Sequence, residues 1–174
     1  MRRTILAATA AAAVVAMISG CALPAKVTGG GTLPGKVAGK ANLGFNGESC
    51  SGSVVGQFTY ADTKSGVKMN GDVVEAVECL DYEDQSTDVA PAFCAATCLP
   101  AVGLPAYGFE VNYRSTNPKQ PGSGQAIACV VDNGQGVKAT SADEVVLVVV
   151  TGPFAGYLNQ GPIKGNIKSH GCDG

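Results

Sequence analysis

Tyr107, Phe109, Val111 and Tyr113 put four large side chains at every second position, with Gly108, Glu110 and Asn112 between them. A repeat of two is that of a β-strand with one buried face, and no helix presents such a set on one side. The same period returns at Val54, Gly56, Phe58 and Tyr60, and again at Val67, Met69, Gly71 and Val73. The intervening Thr63-Lys64-Ser65-Gly66 supplies a turn, so the two runs read as a hairpin. Gln125 to Asp132 reads as a further strand carrying Cys129, closed by the turn residues Asp132-Asn133-Gly134-Gln135-Gly136. The β-branched run Val145 to Val150 is too short to span a membrane and reads as a central strand buried on both faces. Beyond it, Gly152, Gly156, Gly161 and Gly165 among Phe154, Tyr157 and Ile163 suggest short strands joined by tight turns. The expectation is an all-β domain of about seven or eight antiparallel strands, either a β-sandwich or a small β-barrel, with the sandwich preferred.

The other strong signal is at the start. Met1-Arg2-Arg3 is followed by an uncharged apolar stretch to Gly20, the form of a secretory signal peptide and its signal helix. The stretch ends in Ile18-Ser19-Gly20-Cys21, which resembles the lipobox of bacterial lipoproteins. The resemblance implies that Cys21 receives a diacylglycerol and becomes the new N-terminus. Two acyl chains, at about 0.8 kcal/mol per buried CH2, hold a protein to a membrane on the order of 20 kcal/mol. An uncleaved transmembrane anchor is the competing reading, disfavoured by the alanine content and by Pro24.

Of the seven cysteines in the chain, lipid on Cys21 leaves an even set: Cys50, Cys79, Cys94, Cys98, Cys129 and Cys172. In an oxidising compartment that set reads as three disulfides, with the connectivity open. Zinc-thiolate chemistry is disfavoured, because no pair has CxxC spacing and the chain has one His. The domain organisation expected is a lipoprotein signal peptide at 1–20, a Gly/Pro-rich tether at 21–39 and a single β domain at 40–174. The formal net charge of −2 becomes more negative once Arg2 and Arg3 are removed, which argues against a nucleic-acid role.

Several phrases resemble a group of small exported bacterial β proteins without an assigned activity. They are Val27 to Gly31, Lys40 to Asn46, Gly56 to Tyr60 with Asp62, Val131 to Gly136, Ala142-Asp143, Gly152 to Tyr157 and Gly165-Asn166-Ile167 with His170. The chain departs from the group's pattern at Leu43, where an aromatic is common, and at Lys164, where a second Gly usually precedes Gly165. The resemblance implies export and β architecture. It also implies that the domain begins near the triple Gly, which shortens the tether.

Candidate chemistry is sparse. Gly30 to Lys36 satisfies G-x-x-x-x-G-K, but Val37 stands where a phosphate loop needs a Ser or Thr, and that reading is rejected. His170 is the lone imidazole, with no Gly-x-Ser-x-Gly elbow to partner it. Glu75, Glu78, Asp81, Glu83, Asp84 and Asp88 put six carboxylates within 14 residues. Glu78, Asp81, Glu83, Asp84 and Asp88 are thus candidate Ca²⁺ ligands, but the spacing fits no calcium loop and the preferred reading is a solvated excursion without metal. Tyr107, Phe109 and Tyr113 suit either core or a sugar-stacking platform, and core is the commoner use. The function expected is a membrane-anchored, extracytoplasmic, monomeric lipoprotein without cofactor. It would serve as a non-catalytic surface module binding protein or glycan through 81–105, or as a structural one. The alternative is a hydrolase using His170 or the acidic cluster.

Overall fold

A computed structural model describes residues 25–50, 53–79, 106–133 and 142–172. Among the described residues nine strands follow one another: β1 (Ala25–Pro34), β2 (Lys40–Glu48), β3 (Val55–Asp62), β4 (Val67–Cys79), β5 (Ala106–Ser115), β6 (Ser123–Val131), β7 (Glu144–Val149), β8 (Leu158–Pro162) and β9 (Lys164–Gly171). The expected signal helix falls outside the described residues, and among the described residues there is no helix. All nine strands belong to one sheet, ordered β8-β7-β6-β5-β4-β3-β2-β1-β9, and every pairing is antiparallel.

From β1 to β8 each strand pairs with its neighbour in sequence, so the chain is a meander without crossovers. Only Ile163 separates β8, at one end of the sheet order, from β9, at the other. The last stretch of chain therefore pairs first with β7 and then with β1, and the sheet curls into a nearly closed barrel. The Ile163 N–H donates to the Asp143 carbonyl at 2.8 Å, and Asn159 Nδ2 donates to the Pro34 carbonyl at 2.9 Å across the seam between β8 and β1. The barrel-like form takes the place of the preferred sandwich. The physical reason is that closure leaves almost no unpaired strand edge, whereas two stacked sheets would leave four.

The alternation predicted from sequence is the inside-outside alternation of this barrel. Phe58, Tyr60, Met69, Phe109, Val111, Tyr113, Leu147 and Ile167 are all at most 2% exposed and fill the interior. Phe45 and Phe109 meet with ring centroids 5.3 Å apart. Gly29 and Gly47 make room for them, since a Cβ on either would lie 2.6 Å from a carbon of the adjacent ring. Tyr107, Phe109 and Tyr113 are accordingly core and not a platform. In β7, Val145, Leu147 and Val149 are buried, while Val146 and Val148 on the outer face are half-buried, so the expected burial on both faces is complete on the inner one only.

Most of the expected 21–39 tether is strand. Residues 25–34 form β1, paired to β2 on one side and β9 on the other, and the barrel would have a gap without them. Glycine richness was the misleading signal: here it reflects close backbone approach. A Cβ on Gly165 would collide with the Gly30 carbonyl oxygen across the β1–β9 pairing.

Candidate functional site

The meander places alternate connections at opposite ends. At one end lie the short connections 35–39, 63–66, 116–122 and 150–157. At the other, β2 is joined to β3 through 49–54, and β4 and β6 lead to β5 and β7 through the two connections longest in sequence, 80–105 and 132–143; the start of β1 and the end of β9 lie there too.

The short-turn end is plugged by a polar network. The Asp62 side chain continues the inward series Phe58, Tyr60, Asp62 and is 0% exposed. Its Oδ2 accepts from the Lys36 N–H at 2.9 Å, Ser65 Oγ at 2.6 Å and the Tyr157 hydroxyl at 2.8 Å, and its Oδ1 accepts from the Ser65 N–H at 3.2 Å. Because the Tyr157 proton points at Asp62, the Tyr60 hydroxyl donates to the Tyr157 oxygen, 2.7 Å away. Asn159 Nδ2 in turn donates to the Tyr60 oxygen at 2.7 Å. The result is a directed chain of donors ending on a carboxylate. Burial pushes the Asp62 carboxyl up, but the bonds from Ser65, Lys36 and Tyr157 outweigh it and hold it below the ordinary carboxylate value. Burial raises Tyr60 and Tyr157, and for Tyr157 the bonds to Tyr60 and Asp62 add to the rise. The Lys36 ammonium lies 5.2 Å from the Tyr157 ring centroid, capping the network from outside. Such a chain fixes side chains and shuts the barrel end.

Gly30 to Lys36, the rejected phosphate-loop frame, runs along β1 into this turn. Its backbone N–H groups serve the β2 and β9 pairings and Asp62, not an anion cradle.

At the opposite end, Cys50 and Cys172 form a disulfide, with Cα atoms 5.4 Å apart, tying the 49–54 connection to the end of β9. Cys129 is also disulfide-bonded. Inside the same end, the Tyr107 hydroxyl donates to Ser169 Oγ at 2.8 Å. The Asp143 carboxylate accepts from the Asn133 N–H at 3.0 Å and the Ile167 N–H at 2.8 Å, linking the 132–143 connection to β9. On the outer surface, Lys26, Asn46, Gly47, Glu48, Val55, Gly56 and Gln57 line a depression, across which Lys26 Nζ and Glu48 Oε2 stand 3.8 Å apart.

His170 is on the outer face of β9, half-buried and paired in register with Lys26 of β1. The next position in that row is Glu48, so Lys26 stands between the imidazole and that carboxylate in the cross-strand order. His170 is not among the residues that line the depression beside Lys26. Cys21, Cys94, Cys98 and the carboxylates Asp81, Glu83, Asp84 and Asp88 lie outside the described residues. Glu78 and Cys79 are placed on β4 by backbone. No group of three or more His, Cys, Asp or Glu that could hold a metal is present among the described residues.

Sequence reasoning missed the Asp62 network. Its signal was available, since the period that turns Phe58 and Tyr60 inward turns Asp62 inward too. A carboxylate on a buried face requires donors. Tyr157 and Asn159 sit nearly a hundred residues away and could be matched to it only in three dimensions. No protein-family profile, curated protein or solved structure matches the chain.

Proposed function

We propose that the chain is a bacterial lipoprotein, exported, lipidated on Cys21 and held at the extracytoplasmic face of a membrane. Its barrel then serves as a non-catalytic scaffold that binds a protein or glycan partner through the connections at its long-loop end. The observation that carries this reading is the division of labour between the two ends. The interior is filled by side chains and the short-turn end is sealed by the Asp62 network, which leaves the opposite end, where the 49–54, 80–105 and 132–143 connections join the strands, as the loop surface for a partner. A disulfide among the described residues supports an oxidising compartment.

The anchor bears on the same end. β1 begins at Ala25, four positions after Cys21, and four residues reach at most about 14 Å. A lipid on Cys21 therefore sets the long-loop end against the bilayer, and the partner is reached at the membrane surface rather than at a distance from it. The lipobox and the resemblance to small exported β proteins favour the same compartment.

Mass spectrometry of the natural product tests the anchor: the mature N-terminus should be an acylated Cys21, and Cys21→Ala should move the protein from the detergent phase to the aqueous phase. An intact, unmodified leader would overturn it. For the binding half, partner capture on glycan arrays and from envelope extracts should depend on 81–105. Capture unaltered by replacing that segment would count against it.

A further inference from the structure

The chain as a whole is acidic, with a formal net charge of −2, but its charges are segregated along the barrel. Of the four connections at the short-turn end, 35–39 carries Lys36, 63–66 carries Lys64 and 116–122 carries Lys119, and none of the four contains a carboxylate. Just below the turns, Lys40 opens β2, Lys68 follows the first residue of β4, and Arg114 precedes the last residue of β5. Lys36, Lys40, Lys64, Arg114 and Lys119 are exposed, and Lys68 is half-buried. The carboxylate at this end, Asp62, is 0% exposed and is taken up by its own donors inside the barrel. Descending β4, the first exposed carboxylate is Asp72, which pairs with Asn112, one outward position below Arg114. The six cations form no ion pair among the described residues; the pair that is formed, Lys26 with Glu48, lies at the other end. Cations gathered on one end of an acidic protein without a counter-charge set up a local field that concentrates anions there.

The layout selects among anions. Lys36, Lys64 and Lys119 stand on three turns that join β1 to β2, β3 to β4 and β5 to β6. Neighbouring turns are therefore two strand spacings apart, about 10 Å. Cations so spread do not converge on one small anion, whereas a linear polymer that repeats its charge along its length meets several of them in turn. The aromatic side chains of this end, Tyr60, Phe154 and Tyr157, are buried, which leaves no ring to stack on bases or to sit at a lipid interface. Val37 and Val150 are exposed aliphatic groups on separate turns, not a continuous apolar face. Exposed Thr63, Thr116 and Gln120 add neutral hydrogen-bonding groups between the cations.

We propose that the short-turn end is a docking surface for a linear polyanionic glycan, held by Lys36, Lys64 and Lys119 on the turns and by Lys40, Lys68 and Arg114 beneath them. The hydroxyl and carboxamide groups between the cations meet sugar hydroxyls, and the cations meet the carboxylate, sulfate or phosphate groups of the polymer. This surface lies at the opposite end from the one that carries the loop partner, and it rests on the charge of that end and not on the lipid anchor.

Calorimetric titration of the full-length protein with heparin, a sulfated glycan, tests the proposal. Binding should weaken about tenfold between about 50 and 200 mM salt, as expected when a few cations release the counterions of a polyanion. Lys64→Gln/Lys119→Gln should weaken it by about tenfold, whereas Lys164→Gln/Lys168→Gln, which removes the same charge from the outer face of β9, should change it by less than about twofold. All four side chains are exposed, so both double variants should keep the parent's urea midpoint. Absence of heparin binding at the lower salt, or equal losses in the two variants, would overturn the proposal. Tighter binding of duplex DNA, polyglutamate or phosphatidylglycerol vesicles than of heparin would overturn it too, by assigning the surface to a nucleic acid, an acidic protein or a membrane.

Discussion

Replacing Asp62 by Ala removes the acceptor of four hydrogen bonds from a side chain with no solvent exposure. The consequences differ by donor. Tyr157 is 7% exposed, and its hydroxyl loses a charge-assisted bond, at a cost of about 2–3 kcal/mol. The Lys36 and Ser65 groups belong to surface turns and rehydrate, losing about 0.5–1 kcal/mol each. The sum is about 3–5 kcal/mol, and for a domain of this size a fall in Tm of roughly 10 °C. Urea unfolding of Asp62→Ala, Tyr157→Phe and the double variant measures it. Tyr157→Phe alone should cost about 1–3 kcal/mol, and the double variant should fall short of the sum by at least about 1 kcal/mol, because both singles break the same bond. The pH dependence provides a second check. Asp62 has a lowered folded-state pKa, so its contribution is present above the unfolded carboxylate value of about 4 and is lost as pH falls through the folded value. The gap between parent and Asp62→Ala should narrow in acid. A gap below about 1 kcal/mol at neutral pH, or one independent of acidity, would refute the picture of a carboxylate terminating a buried donor chain.

The alkaline limb has the opposite sign: Tyr60 and Tyr157 are raised in the folded state, so their contribution is intact below about pH 10 and declines above it. The parent's urea midpoint should then fall more steeply between about pH 10 and 11 than that of Tyr60→Phe/Tyr157→Phe. Cys50 and Cys172 enclose a sequence separation of 122, and opening that loop with Cys50→Ala/Cys172→Ala should cost up to about 5 kcal/mol, read as a lower denaturant midpoint. Gly165→Ala drives a methyl against the Gly30 carbonyl, backbone on backbone, and should cost about 1–3 kcal/mol. Gly171→Ala, with nothing within 4 Å of the added carbon, should unfold within about 0.5 kcal/mol of the parent; equal effects at the two sites would contradict the close approach of β1 and β9.

Local period made much of the fold legible. The inward sets of β3, β4 and β5 were readable because side chains alternate whatever the neighbours are, and the Thr63 to Gly66 turn was readable because Gly66 takes φ 77°, a conformation other residues resist. β1 was not, because its glycines answer to strands more than a hundred residues away and look locally like a linker. The same holds for the candidate site: the lone His170 and the acidic run drew attention as residue types, while the network that closes the barrel is made of ordinary Tyr, Asn and Asp.

By itself, then, the sequence determined strand character and the faces that β3, β4 and β5 bury. These are properties of short stretches of chain or of composition. Tertiary structure alone decided that the sheet closes through Ile163, that Cys50 meets Cys172, and that Asp62 receives the Tyr157 proton. Period fixes which way a side chain points; it does not fix which distant strand lies beside it, since that depends on curvature accumulated over the whole sheet.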